Sequence, residues 1–138
     1  MESFWRNCII CLFLGFACLF ESGNATPNVT LDYKICNGET FNWNEDNLVQ
    51  KMDEVLDMAV GKVADNGYNY YASIRDENTD FQCWAHAACN GKLTWIDCYA
   101  CVVRAHDLLM NQCRRNYGAQ FQLIDCRVRR EKYEFNED

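Results

Sequence analysis

The sequence predicts an α+β domain: an antiparallel sheet of about five strands with two helices packed on it, crosslinked by disulfides. Three observations carry that expectation. Two segments place apolar residues at helical spacing, and the segments around them alternate in the manner of half-buried strands. Cysteines are dense in a chain that opens on an export-type apolar run. Strand, helix, two strands, helix, two strands is the order of an α+β fold.

The opening run comes first because it decides the redox compartment. Arg6 supplies a short basic region, and from Cys8 to Phe20 all 13 residues are apolar or glycine. A hydrocarbon core needs ~20 residues, so this stretch matches a signal peptide rather than an anchor. Gly23 and Ala25 occupy the small-residue positions before Thr26. The expectation is a signal peptide over 1–25 and one domain over 26–138, exported to the extracellular space, with no membrane span after cleavage. Asn28-Val29-Thr30 is a glycosylation sequon at its start.

The first strand is expected around Tyr33 to Cys36. Leu48, Val49, Met52, Val55, Leu56, Ala59, Val60 and Val63 then recur at helical spacing. Asn44 or Asn47 can cap this helix, Glu45 and Asp46 suit its first turn, and Asn66-Gly67 stops it. Tyr68 to Ile74 and Phe81 to Ala88 read as strands joined by a turn over Asp76 to Asp80. A second helix opens on Thr94 and Asp97, a capping box, and buries Cys98, Cys101, Val102, Ala105, Leu108, Leu109 and Cys113. Asn116 and Gly118 end it. Phe121 to Ile124 leads through Cys126 to alternation at Val128, Tyr133 and Phe135.

Without residues 1–25 the chain has 12 basic and 18 acidic side chains, a net charge of −6. A net acid chain is a poor ligand for nucleic acid or anionic membranes. Arg127, Arg129, Arg130 and Lys132 form a basic run that reads as a solvated strand face.

Seven cysteines remain after Ala25: Cys36, Cys83, Cys89, Cys98, Cys101, Cys113 and Cys126. Seven cannot all pair within one chain, and spacing alone leaves the connectivity open. Cys98 and Cys101 share the spacing of a redox dithiol, but the flanking β-α-β pattern is missing. His86 and His106 lack metal-ligand spacing to the cysteines, so neither a metal nor a cofactor is expected. Cys83 and His86, three apart in a strand, point to opposite faces and cannot act as nucleophile and base. No paired carboxylates, phosphate loop or nucleophile elbow appears, and no enzyme is expected.

Cys36-Asn37, the first helix, the C-x8-C-x2-C run of Cys89, Cys98 and Cys101, then Cys113 and the segment Gly118 to Cys126 resemble the ginkbilobin-type domain. This plant module occurs singly in secreted antifungal lectins and in tandem in cysteine-rich receptor-like kinases and plasmodesmal proteins. The resemblance covers about residues 33 to 135. It implies the pairs Cys36–Cys113, Cys89–Cys98 and Cys101–Cys126, which by loop entropy contribute roughly 4.5, 2.7 and 3.5 kcal/mol as upper values. Cys83 has no counterpart there, and is either a free buried thiol or a link between two chains, so the expected state is a monomer or a dimer through Cys83.

The resemblance also implies a mannose-binding set that falls on Asn37, Gln120 and Glu131. Gln120 stands where the family pattern has arginine. A guanidinium bond contributes ~1.5–3 kcal/mol against ~0.5–1.5 for a neutral one, so the exchange corresponds to roughly tenfold in affinity. The partner is then a mannose-type glycan, as in an antifungal defence lectin, or another extracellular protein in the apoplast. Trp43, Trp84 and Trp95 are candidate contacts for such a protein and equally read as packing.

Overall fold

A computed structural model describes residues 26–137. The expected signal segment over 1–25 and the final Asp138 of the domain span lie outside the described residues. Along the chain run β1 (Leu31–Cys36), α1 (Asp46–Lys62), β2 (Asn69–Arg75), β3 (Gln82–Cys89), α2 (Trp95–Cys113), β4 (Ala119–Leu123) and β5 (Cys126–Glu131). The strands form one antiparallel sheet in the order β1-β4-β5-β3-β2, with both helices on one face. The α+β expectation holds.

The core follows from period. α1 turns Val49, Met52, Val55, Leu56, Ala59 and Val60 inward, and α2 turns Cys98, Cys101, Val102, Ala105, Leu109 and Cys113 inward. The sheet answers with alternate residues: Cys83, Ala85 and Ala87 on β3, Ala119, Phe121 and Leu123 on β4, Val128 on β5. Three disulfides then bind α2 to the sheet. Cys36–Cys113 joins β1 to its end, Cys89–Cys98 joins β3 to its first turn, and Cys101–Cys126 joins its middle to β5, with Cα separations of 5.6, 5.6 and 6.0 Å. Cys83 is a free thiol with no exposed surface, and burial pushes its pKa up to about 11. A bond from it to a second chain requires the sheet and α1 to separate.

Local details differ from the sequence reading in four places. α1 begins one residue after Glu45, and no asparagine side chain caps it; instead Glu45 Oε2 accepts from the Asn42 amide at 2.7 Å. Tyr68 is not in β2, because it follows Gly67 into the left-handed region at φ 65°, so the strand starts at Asn69. Thr94 does cap α2, its hydroxyl accepting from the Asp97 amide at 3.2 Å. β5 stops at Glu131, and Tyr133 and Phe135 lie in a strap, residues 132–137, that folds back over the outer face of the sheet.

The fourth difference concerns the basic run. Consecutive residues of β5 face opposite sides, so Arg130 points into the core with no exposed surface while Arg129 points outward. Arg130 Nη1 donates to Asp53 Oδ1 of α1 at 2.7 Å, and its Nη2 donates to the Arg114 carbonyl. Asp53 Oδ2 also accepts from Arg114 Nε at 3.0 Å. Burial lowers the Arg130 pKa, and Asp53 opposes that shift.

On the outer face, His86 lies beneath the strap, fully buried and stacked on Tyr71 with ring centroids 4.2 Å apart. Its Nε2 bonds Asn69 Oδ1, while its Nδ1 has no partner among the described residues. Burial first, then the positive Arg127, lowers its pKa to about 4, with Arg129 acting the same way and Glu137 opposing.

Two expectations follow from these buried groups. Asp53→Ala leaves the Arg130 charge unpaired in the core and should cost about 3–5 kcal/mol in urea unfolding. The double variant Asp53→Leu, Arg130→Met should be more stable than Asp53→Ala alone. For His86, the unfolded chain binds a proton near pH 6.5 and the folded chain only near pH 4, so stability falls as pH drops through that window. Glu131, whose carboxyl is raised by burial, acts in the opposite sense. The comparison is therefore with His86→Gln: between pH 6.5 and 4.5 the parent should lose about 2 kcal/mol more than the variant, read by urea midpoints.

Candidate functional site

Antiparallel register brings the candidate residues together. On the outer face Ile35 pairs with Gln120, Gln120 with Arg129, Arg129 with His86, and His86 with Tyr71. One row of side chains therefore crosses all five strands. Asn37 follows β1 directly, its amide donating to the Gly118 carbonyl at 2.8 Å. Glu131 sits two residues beyond Arg129 on the same face.

These elements enclose a cleft of about 330 Å³ lined by Ile35, Asn37, Gln120, Arg129, Glu131 and Tyr133, with Gly118 at its base. Its size is at the lower end for small-molecule sites. Asn37, Gln120 and Glu131 meet here from three separate segments. Gly118 is required by close approach, since a Cβ at this position would lie 1.8 Å from Glu131 Oε2. Asn37 Oδ1 is used by the Glu39 amide at 3.0 Å, whereas Gln120 Nε2 donates to Tyr33 Oη at 2.9 Å and leaves its carbonyl to accept.

Arg129 is the residue the sequence reading left out, having been assigned to a solvated strand face. It is the cross-strand partner of Gln120, so a guanidinium lines the cleft from the neighbouring strand although residue 120 is not arginine. Its Nε donates to Glu131 Oε1 at 3.0 Å, its Nη1 to Glu137 Oε1 at 2.6 Å and its Nη2 to Tyr133 Oη at 3.0 Å. Burial lowers its pKa, but the bonds to Glu137 and Glu131 outweigh that and hold it above the ordinary value. Glu131 is buried, which raises its carboxyl, and Arg129 pulls it back. The only sequence signal for Arg129 was the alternation of β5, which becomes informative once its register against β4 is known.

Chemically, the cleft presents a carboxylate, two amides, a guanidinium and a phenol, a set of aimed donors and acceptors suited to hydroxyl groups. A second cleft of about 340 Å³ lies at the other end of the sheet beside Gln122, Asp125 and Arg127. There Asp125 is already occupied by the Asn28 amide at 2.7 Å and by Asn90 Nδ2 at 3.1 Å. Asn28 itself is exposed and distant from the first cleft in its contacts. Cys83 and His86 point to opposite faces of β3, into the core and under the strap. Trp43 is 85 % exposed against Arg115, and Trp95 is 48 % exposed and stacked on Tyr99, so both are surface residues rather than core.

Among the described residues, no helix is long and apolar enough to cross a membrane. The profile of the salt stress response/antifungal family matches residues 28–133. The chain is 26 % identical over 123 residues to antifungal protein ginkbilobin-like protein 1 of Picea sitchensis, spanning 85 % of this chain and 87 % of that one. It is 26 % identical over 102 residues to antifungal protein ginkbilobin-2 of Ginkgo biloba, spanning 74 % and 71 %. The tandem DUF26 ectodomain of the Arabidopsis thaliana cysteine-rich receptor-like protein PDLP8 superposes with a TM-score of 0.62 at 24 % identity, over 78 % of this chain. That of PDLP5 gives 0.59 at 20 %. The chain spans about half of each tandem ectodomain, 46 % and 47 %. With its fold and cysteine pattern in agreement, the chain belongs to the salt stress response/antifungal family.

Proposed function

We propose that this protein is a secreted, monomeric defence protein that acts against fungi by holding a mannose-type glycan in the cleft of Asn37, Gln120 and Glu131. The observation that carries the reading is the convergence of those three residues on one cleft with the Arg129 guanidinium beside them. Glu131 accepts from sugar hydroxyls, the amides of Asn37 and Gln120 orient them, and Ile35 and Tyr133 offer apolar surface to the ring. In this reading the domain runs over 26–138, the protein works outside the cell, and the exposed Asn28 carries a glycan. It performs no catalysis.

A second reading is an apoplastic module that binds another extracellular protein without sugar. The neighbours that are receptor-like ectodomains favour it, as do the exposed Trp43 and the Trp95–Tyr99 stack.

Titration of the oxidised protein with mannose and mannan separates the two. The parent should bind mannose in the millimolar range, and Glu131→Gln should weaken binding about tenfold by replacing a charged acceptor with a neutral one. Gly118→Ala should abolish it by displacing Glu131. Gln120→Arg should strengthen it. Absence of binding by both the parent and Gln120→Arg defeats the glycan reading in favour of the protein-binding one; binding by Gln120→Arg alone means that this chain has moved to another ligand on an intact scaffold.

A further inference from the structure

The strap does more than cover apolar surface. Glu137 has no secondary structure around it, yet each of its polar groups is held by the outer face of the sheet. Its carboxylate accepts from Arg129 Nη1 at 2.6 Å and faces Arg127 Nη1 at 3.6 Å. Its amide donates to Tyr71 Oη at 2.7 Å, and Tyr71 Oη in turn donates to its carbonyl at 3.4 Å. The side chain of Glu137 is only 12 % exposed.

Two residues earlier, Phe135 is 9 % exposed. Its ring lies 4.2 Å from the Arg129 guanidinium and 6.2 Å from the Tyr71 ring. In extended chain, residues two apart share a face, so an aromatic and a carboxylate at this spacing reach the sheet together. Arg127 and Arg129 are like charges on one face of one strand, and a carboxylate between them relieves their repulsion. Glu131 serves only the Nε side of Arg129. Glu131 thus leaves Arg127 and the Nη side of Arg129 to an anion from outside the strand ladder.

The strap is joined to the sheet by side-chain contacts and not by a strand ladder, so it opens at lower free energy than the core. We propose that Tyr71, Arg127 and Arg129 form a docking clasp for an extended acidic peptide of another protein, one carrying an aromatic residue two positions before a carboxylate. Phe135 and Glu137 fill the clasp in cis and keep it closed to that partner. The clasp stands independently of any sugar in the neighbouring cleft, although Arg129 borders both.

The probe is a fluorescein-labelled peptide with the sequence of residues 133–138, followed by anisotropy against the oxidised chain. A tethered segment competes at an effective concentration in the millimolar range. Glu137→Gln in the full chain weakens that competitor and should tighten peptide binding at least about fivefold over the parent. A chain ending at Tyr133 should tighten it at least about tenfold. A peptide with glutamine at the position of Glu137, or alanine at that of Phe135, should bind about tenfold more weakly, as should the shortened chain carrying Arg129→Gln. Equal affinity of parent and Glu137→Gln for the peptide, or equal binding of the glutamate and glutamine peptides, overturns the proposal. Should circular dichroism show the shortened chain unfolded, the full-length Glu137→Gln comparison decides alone.

Discussion

Strand β5 sends two adjacent arginines to opposite sides of the sheet, and both layers of the molecule depend on that alternation. Arg130 goes inward to Asp53 and fixes α1 against the sheet. Arg129 goes outward, holds Glu131 and Tyr133 beside the cleft and pairs with Glu137 of the strap. A slip of one residue in the register of β5 would exchange them, burying a guanidinium without its carboxylate and removing the Arg129 guanidinium from the cleft. Register here is pinned covalently. Cys126, the first residue of β5, pairs across the ladder with Cys89 and is bonded to Cys101 of α2.

That bond is one of three that meet on α2, and their distribution explains how a domain of this size stays ordered. Each joins the same helix to a different strand, β3, β5 or β1. The helix behaves as a spine whose first turn, middle and end are each fixed. Loop closure of that extent rivals the net stability of a small domain, ~5–15 kcal/mol. It permits the protein to keep costly features, among them a buried ion pair and a buried histidine whose Nδ1 has no partner among the described residues.

Much of this was legible beforehand. Both helices, the strand order of types and the α+β class follow from apolar period, because each element has one wet and one dry side. The grouping of Asn37, Gln120 and Glu131 was an expectation from resemblance alone, and the structure places the three on one cleft. What the chain alone concealed was tertiary in origin. Glu45 replaced asparagine at the start of α1 because it reaches back to the Asn42 amide. Tyr68 left its strand because Gly67 carries the backbone into the left-handed region. Arg130 looked solvated since its carboxylate lies 77 positions away in sequence. The strap read as strand because Tyr133 and Phe135 keep a period of two while packing on a face instead of joining an edge.

The pairing of Gln120 with Arg129 has a consequence for how relatives of this domain are compared. The two positions of one rung border the same volume of space, so a cationic donor can stand on either strand while the contour of the cavity is preserved. Alignment by column scores the exchange of one position for the other as a loss followed by an unrelated gain. Scoring by ladder partner treats the two positions as alternative addresses for a charge on one wall of the cavity, so cavities built on this sheet are better compared by rungs than by columns.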